Sequence, residues 1–140
     1  MLIIVVYKIL HKMKIEHLAI WVRDLEIMKE FYQEYFNMHC GKKYENKMKK
    51  FSSYFLSFNE GARLELMHSP VIPEYPGNDG ITRGFAHMAI SVGSKKEVDR
   101  ITELIRAAGF AVTGEPRTTG DGYYESVILD PEGNLVELSE

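Results

Sequence analysis

The sequence predicts an α+β fold built from two copies of one unit, each a strand, a helix and three further strands. Three observations carry this. The run His17-Leu18-Ala19-Ile20-Trp21-Val22 returns as His87-Met88-Ala89-Ile90-Ser91-Val92, and Arg63-Leu64-Glu65-Leu66 is echoed by Leu135-Val136-Glu137-Leu138. An internal repeat of this kind is the mark of a duplicated supersecondary unit. Each first segment is followed by apolar residues at helical spacing, and each helix by shorter runs that alternate as strands do.

The elements follow in order. Ile15 to Val22 reads as a strand, with His17, Ala19 and Trp21 on one face and Leu18, Ile20 and Val22 on the other. Asp24 is a ready N-cap, and Leu25, Met28, Phe31, Tyr32, Tyr35 and Phe36 form the core stripe of a helix running to about Met38. Strands are expected near Cys40–Glu45, Phe51–Phe58 and Arg63–His68, the last two joined by a turn at Asn59-Glu60-Gly61. Residues 69–84 hold three of the five prolines and three glycines, a connector composition. The second unit opens with a strand over Phe85–Val92. Ser94 and Glu97 have capping-box spacing, and Val98, Ile101, Leu104, Ile105 and Ala108 line a helix ended by Gly109. Strands follow at Ala111–Glu115, Tyr123–Leu129 and Leu135–Leu138, the last after a tight turn at Asp130–Asn134. The polar outer faces of both helices place them on the outside of a curved sheet. Residues 1–12 read as an N-terminal extension or an added edge strand. Residues 13–140 read as one domain, with repeat one over 13–68, a linker over 69–84 and repeat two over 85–140.

Composition excludes several classes. An apolar fraction of 45% with 26% charged residues is that of a soluble globular protein. A net charge of −3 and a pI near 6.0 argue against nucleic acid or an anionic membrane as the partner. The apolar run Leu2–Tyr7 is too short to span a bilayer, and the lysines follow it instead of preceding it as in a secretory leader. The lone cysteine, Cys40, cannot form an internal disulfide and suits a reducing cytoplasm.

The chemistry lies in the repeat. In each half a His opens an apolar run, and a Glu inside a second run follows about 50 residues later. A single strand-opening His is usually structural, and a single Glu in an alternating strand usually faces solvent. Two such pairs in matching positions are a different matter: two imidazoles and two carboxylates can hold a divalent cation, and a cation relieves two carboxylates of their mutual repulsion. His11, His39 and His68 fall outside the pattern, and His68, of opposite strand parity to Glu65, is expected at the surface.

From Lys14 to Glu140 the chain resembles the vicinal oxygen chelate superfamily, which includes glyoxalase I (lactoylglutathione lyase), bleomycin-resistance proteins, fosfomycin-resistance enzymes, methylmalonyl-CoA epimerase and extradiol dioxygenases. The residues that carry it are His17–Leu25 before an amphipathic helix, Phe31-Tyr32 within it, Leu64-Glu65-Leu66, Gly84–Ala89 and Asp130–Leu138. The resemblance implies paired βαβββ units whose mixed sheets curl into a half-open barrel, helices outside. It implies one divalent metal ion per site on His17, Glu65, His87 and Glu137, with Ni2+ or Co2+ favoured and Zn2+ accepted by the same ligands. It implies a homodimer acting on a small molecule. The reaction implied is a lyase or isomerase step of glyoxalase I type, in which a proton moves between neighbouring carbons of a small oxo or hemithioacetal substrate through a metal-stabilised enediolate. Glu137 is then the catalytic base, with Glu65 in the opposite proton-transfer role.

The sequence departs from glyoxalase I at one position. Trp21 stands where that enzyme commonly has an Arg that helps hold the glutathione carboxylate, and Arg23, of the same strand parity, lies at the strand's end. Trp21 implies an aromatic substrate wall. Arg117, at the start of a polar, Gly-containing loop expected over 117–124, is the candidate for binding an anionic part of the substrate. Glu65 speaks against the fosfomycin-resistance enzymes, which lack an acidic ligand there. The non-enzymatic alternative is a sequestering protein of bleomycin-resistance type, which would use the aromatic cavity without the metal.

Overall fold

The computed structural model describes residues 13–74 and 83–140. Repeat one supplies β1 (His17–Trp21), α1 (Leu25–Phe36), β2 (His39–Cys40), β3 (Tyr44–Asn46), β4 (Phe51–Ser57) and β5 (Arg63–His68). Repeat two supplies β6 (Met88–Ser91), α2 (Lys95–Ala107), β7 (Val112–Thr118), β8 (Tyr124–Leu129) and β9 (Leu135–Ser139). The first sheet has the order β1-β5-β4-β2, with β3 also on β4; the second has the order β6-β9-β8-β7. In both, the first strand pairs parallel with the last, and the remaining pairs are antiparallel. The fold is α+β with two mixed, curled sheets, and among the described residues no strand of one sheet pairs with the other. The expectation for residues 1–12 lies outside the described residues.

Each helix starts and stops for a local reason. Asp24 accepts hydrogen bonds from the Glu26 and Ile27 amides, and Asn37 closes α1 in the left-handed conformation, which a short amide side chain tolerates. Ser94 accepts from the Glu97 amide, but the Glu97 carboxylate turns to Arg100 instead of completing the capping box.

Packing fixes which face of each sheet is free. Met28, Phe31 and Tyr32 from α1 and Val98, Ile101 and Ile105 from α2 are buried with Leu56, Leu64, Leu66, Ile128, Val136 and Leu138. These strand residues have the parity opposite to Glu65 and Glu137, so the carboxylates face away from the helices. The halves are joined under the helices. The Tyr32 hydroxyl donates to buried Asp130 at 2.9 Å, and Phe31 and Tyr35 pack on Phe110 at 5.0 and 5.8 Å between centroids. Asp130 in turn accepts the amides of Glu132 and Asn134, which holds the turn before β9.

Candidate metal centre

The helix-free faces carry the duplicated His and Glu residues. His17 opens β1 directly opposite Arg63, two residues from Glu65 on the neighbouring strand, and Nε2 of His17 lies 3.8 Å from the Glu65 carboxylate. His87 immediately precedes β6 and holds the same relation to Glu137, at 3.4 Å. The duplication therefore reproduces a His–carboxylate pair in each sheet. The carboxylates are largely shielded, with side chains 13% and 18% exposed, whereas the imidazoles are 42% and 45% exposed. Neither carboxylate has a Lys or Arg partner among the described residues. An imidazole nitrogen facing a shielded carboxylate oxygen that lacks a cation is a donor set suited to a divalent ion.

The structure brings these four residues together two by two. Both histidines line one cleft of about 300 Å³ along the seam between β1 and β6, with Leu18, Met88 and Val136. Among the described residues no three His, Cys, Asp or Glu side chains converge closely enough to hold an ion within one chain. The larger cavity of about 650 Å³, at Asn37, His39 and Glu60, contains none of the four.

The surroundings of the two pairs differ. In the first sheet the His17 ring meets Phe55 edge-on at 5.5 Å, and the Arg63 guanidinium lies over the same ring at 4.0 Å. Glu16 spans them: it accepts Nδ1 of His17 at 2.5 Å and Nε of Arg63 at 2.8 Å. In the second sheet Glu125 lies diagonal to Glu137 on the same face. Lost hydration first, then the neighbouring Glu137 carboxyl, push the Glu125 carboxyl above the ordinary carboxylate range; Arg117, 3.3 Å away, opposes the shift. Sequence reading missed Glu16, Arg63, Phe55 and Glu125. Arg63 and Glu125 share the strand faces of Glu65 and Glu137, a usable signal. Glu16 has the wrong parity and reaches His17 only because β1 begins one residue later.

The substrate candidates are placed as follows. Trp21, 47% exposed, stands on the helix-free face edge-on to Phe51 at 6.0 Å, and Phe51 packs on Tyr44 at 6.1 Å. Arg117 belongs to β7 rather than to a loop, and its guanidinium is engaged by Glu125. Arg23 has left the strand and pairs with Glu74 at 2.6 Å. His68, expected at the surface, is half-buried because the strand parity that removes it from the Glu65 face turns it toward the packed side, where Nδ1 lies 3.0 Å from the Val22 carbonyl. Cys40 is free and half-buried, and burial raises its pKa, which keeps it a thiol.

The family profile described as the Glyoxalase/Bleomycin resistance protein/Dioxygenase superfamily matches residues 14–138. The chain belongs to that superfamily. Among its glyoxalase relatives, the lactoylglutathione lyase of Arabidopsis thaliana is 33% identical over 87% of this chain and 42% of its own length. A Vibrio cholerae protein named "Probable lactoylglutathione lyase" is 30% identical over 89% of this chain and 88% of its own. The crystal structure of glyoxalase I from Zea mays superposes with a TM-score of 0.75 at 27% identity, covering 90% of this chain and 44% of the maize chain. The present chain thus spans less than half the length of the plant proteins. Among the described residues no helix is long and apolar enough to cross a membrane.

Proposed function

We propose that this superfamily member is a metal-dependent lyase or isomerase of glyoxalase I type that moves a proton between adjacent carbons of a small oxo or hemithioacetal substrate. The observation that carries this is the duplicated His–Glu pair at equivalent positions of two equivalent sheets. Relatives named as lactoylglutathione lyases support it. His17, Glu65, His87 and Glu137 would hold the ion, and nickel, cobalt and zinc all accept two nitrogen and two oxygen donors. The ion would polarise two neighbouring substrate oxygens and stabilise the charge left when the adjacent C–H is deprotonated.

The protein's own part is positioning and proton transfer. Glu137 takes the proton and returns it one carbon away; Glu65 takes this role for a substrate bound the other way round. Trp21 and Phe51 offer an aromatic wall to the part of the substrate remote from the reacting carbons. Arg117, paired with Glu125 at 3.3 Å, is the candidate for an anionic substrate group. Because the ligands come in pairs that do not meet within one chain, the complete site belongs to a homodimer, with the first sheet of one protomer facing the second sheet of its partner. Residues 13–140 act as the functional unit and residues 1–12 as an extension, in the cytoplasm.

Purified protein supplied with nickel, cobalt or zinc should bind about one ion per chain and isomerise the methylglyoxal–thiol adduct. Glu137→Gln should lower turnover by at least ~100-fold with the fold intact. Unchanged turnover in that variant would remove Glu137 from the role of base. A protein that takes up no metal yet binds a flat aromatic ligand tightly would instead be a sequestering module, the reading that the exposed Trp21–Phe51–Tyr44 cluster favours.

A further inference from the structure

The two halves treat their histidines differently. Around His17, four side chains close a ring of contacts: the imidazole edge meets Phe55, the Arg63 guanidinium stacks on Phe55, and Glu16 joins Arg63 to Nδ1 of His17. The sheet registers identify the counterparts in the second half. Ala86 stands for Glu16, Leu135 for Arg63 and Val127 for Phe55. None of these three side chains carries a polar atom. In the second half it is the carboxylate, Glu137, that has a polar neighbour, Glu125 with Arg117 behind it.

We propose that Glu16 is a positioning residue that fixes His17 as the Nδ1–H tautomer, leaving Nε2 bare toward Glu65, so that the first half-site is the preorganised anchor for the ion. This rests on the metal-centre reading of the same site. Neutral imidazole has one protonated and one bare nitrogen, and an acceptor at one decides which is free to coordinate. The Glu16 carboxylate takes the Nδ1 proton as acceptor, and Arg63 keeps that carboxylate in place. Because Arg63 also receives its backbone partner from Glu16, its amide donating to the Glu16 carbonyl at 2.9 Å, removing the side chain leaves the strand pairing in place. Carboxylate–imidazole–metal arrangements of this type typically change metal affinity by 10- to 100-fold when the carboxylate is removed, roughly the range expected here.

The test uses the full chain, first without metal. Long-range proton–nitrogen NMR at a pH of about 8, above the usual imidazole range, should show His17 as Nδ1–H in the unaltered protein. In Glu16→Ala it should shift toward Nε2–H, while His87 stays unchanged as the internal control. Glu16→Gln, whose amide oxygen accepts the same proton, should retain the tautomer. Competition with a chromophoric chelator for Zn2+ and Ni2+ should then show affinity weakened about 10-fold or more in Glu16→Ala and largely kept in Glu16→Gln. A His17 that is already Nε2–H, or a tautomer and affinity that Glu16→Ala leaves unchanged, would overturn the proposal. Absence of metal uptake by the unaltered protein would overturn the metal-centre reading beneath it, and the two failures are distinct because the tautomer is read on metal-free protein.

Discussion

Glu26 shows how a single exposed carboxylate ties a helix to the sheet beneath it. It accepts Lys29 Nζ at 2.6 Å, the Tyr54 hydroxyl at 3.0 Å and Lys43 Nζ at 3.5 Å. The Lys29 hydrogen bond, the largest influence, holds its carboxyl below the ordinary 4.5, with Tyr54 and Lys43 acting in the same direction. A depressed folded pKa means that the ionised form is favoured by folding. The stabilisation is therefore complete above the ordinary value and drains away as pH falls through the folded one. Glu26→Gln should cost about 0.5 kcal/mol at neutral pH, a small figure because the side chain is nearly half exposed and screened by solvent. Urea denaturation curves of the two proteins should converge in acid once the Glu26 carboxyl is protonated, and a difference that persists there would disprove the electrostatic origin. The same scale explains what the sequence could reveal of the site. His17, Glu65, His87 and Glu137 stood out because duplication printed each twice. Glu16 did not, since its contact depends on where a strand begins, and Glu125 did not, since its partner Glu137 is reached through a diagonal across two strands.

At the level of elements, α2 is fastened to β8 by a buried polar contact. The Thr102 hydroxyl donates to the Val98 carbonyl at 2.6 Å and lies 2.7 Å from Ser126 Oγ, and both residues are fully buried. Thr102→Val removes one partner and leaves the Ser126 hydroxyl without it in the core, which should cost about 1–3 kcal/mol. The double variant Thr102→Val with Ser126→Ala removes the need as well as the bond and should recover part of that loss. A double variant less stable than the sum of the two single ones, measured by thermal unfolding, would refute this account. Ser126 was legible as an inward-facing position from strand parity, but its partner on the helix was not. Strand limits show the same division. Arg63–His68 matches its expected range because apolar alternation and a turn bound it on one side and a proline on the other. The expected strand at Cys40–Glu45 is instead two short pieces, β2 and β3, which pair with opposite ends of β4. The second unit's first strand is shorter than Phe85–Val92, because only Met88–Ser91 find partners on β9. β7 runs on to Thr118, through a bulged register that no local propensity encodes.

For the whole molecule, the repeat made the architecture readable: one unit written twice must bury its helices together and leave two equivalent faces open. What the repeat cannot specify is which open face meets which, since both arrangements satisfy the same pattern of apolar and polar residues. The split of the four proposed ligands into two pairs makes this a question that mixing can answer. Let one chain carry His17→Ala with Glu65→Gln, and a second carry His87→Ala with Glu137→Gln. Neither variant alone can assemble a complete set of ligands when a first sheet faces a second sheet, whether within one chain or across two. Co-refolded in equal amounts, the two should form mixed dimers in about half of all pairings. If the first sheet of one protomer faces the second sheet of its partner, each mixed dimer holds one site with all four ligands and one with none. About a quarter of the metal-binding capacity of the unaltered protein should then return, and turnover with it. If each chain closes its own site, every site in the mixture lacks half its ligands and nothing returns. Recovery of metal uptake on mixing, measured by equilibrium dialysis against the separate variants, is the expected result; its absence would place the four ligands within one chain and require the two halves to close upon each other.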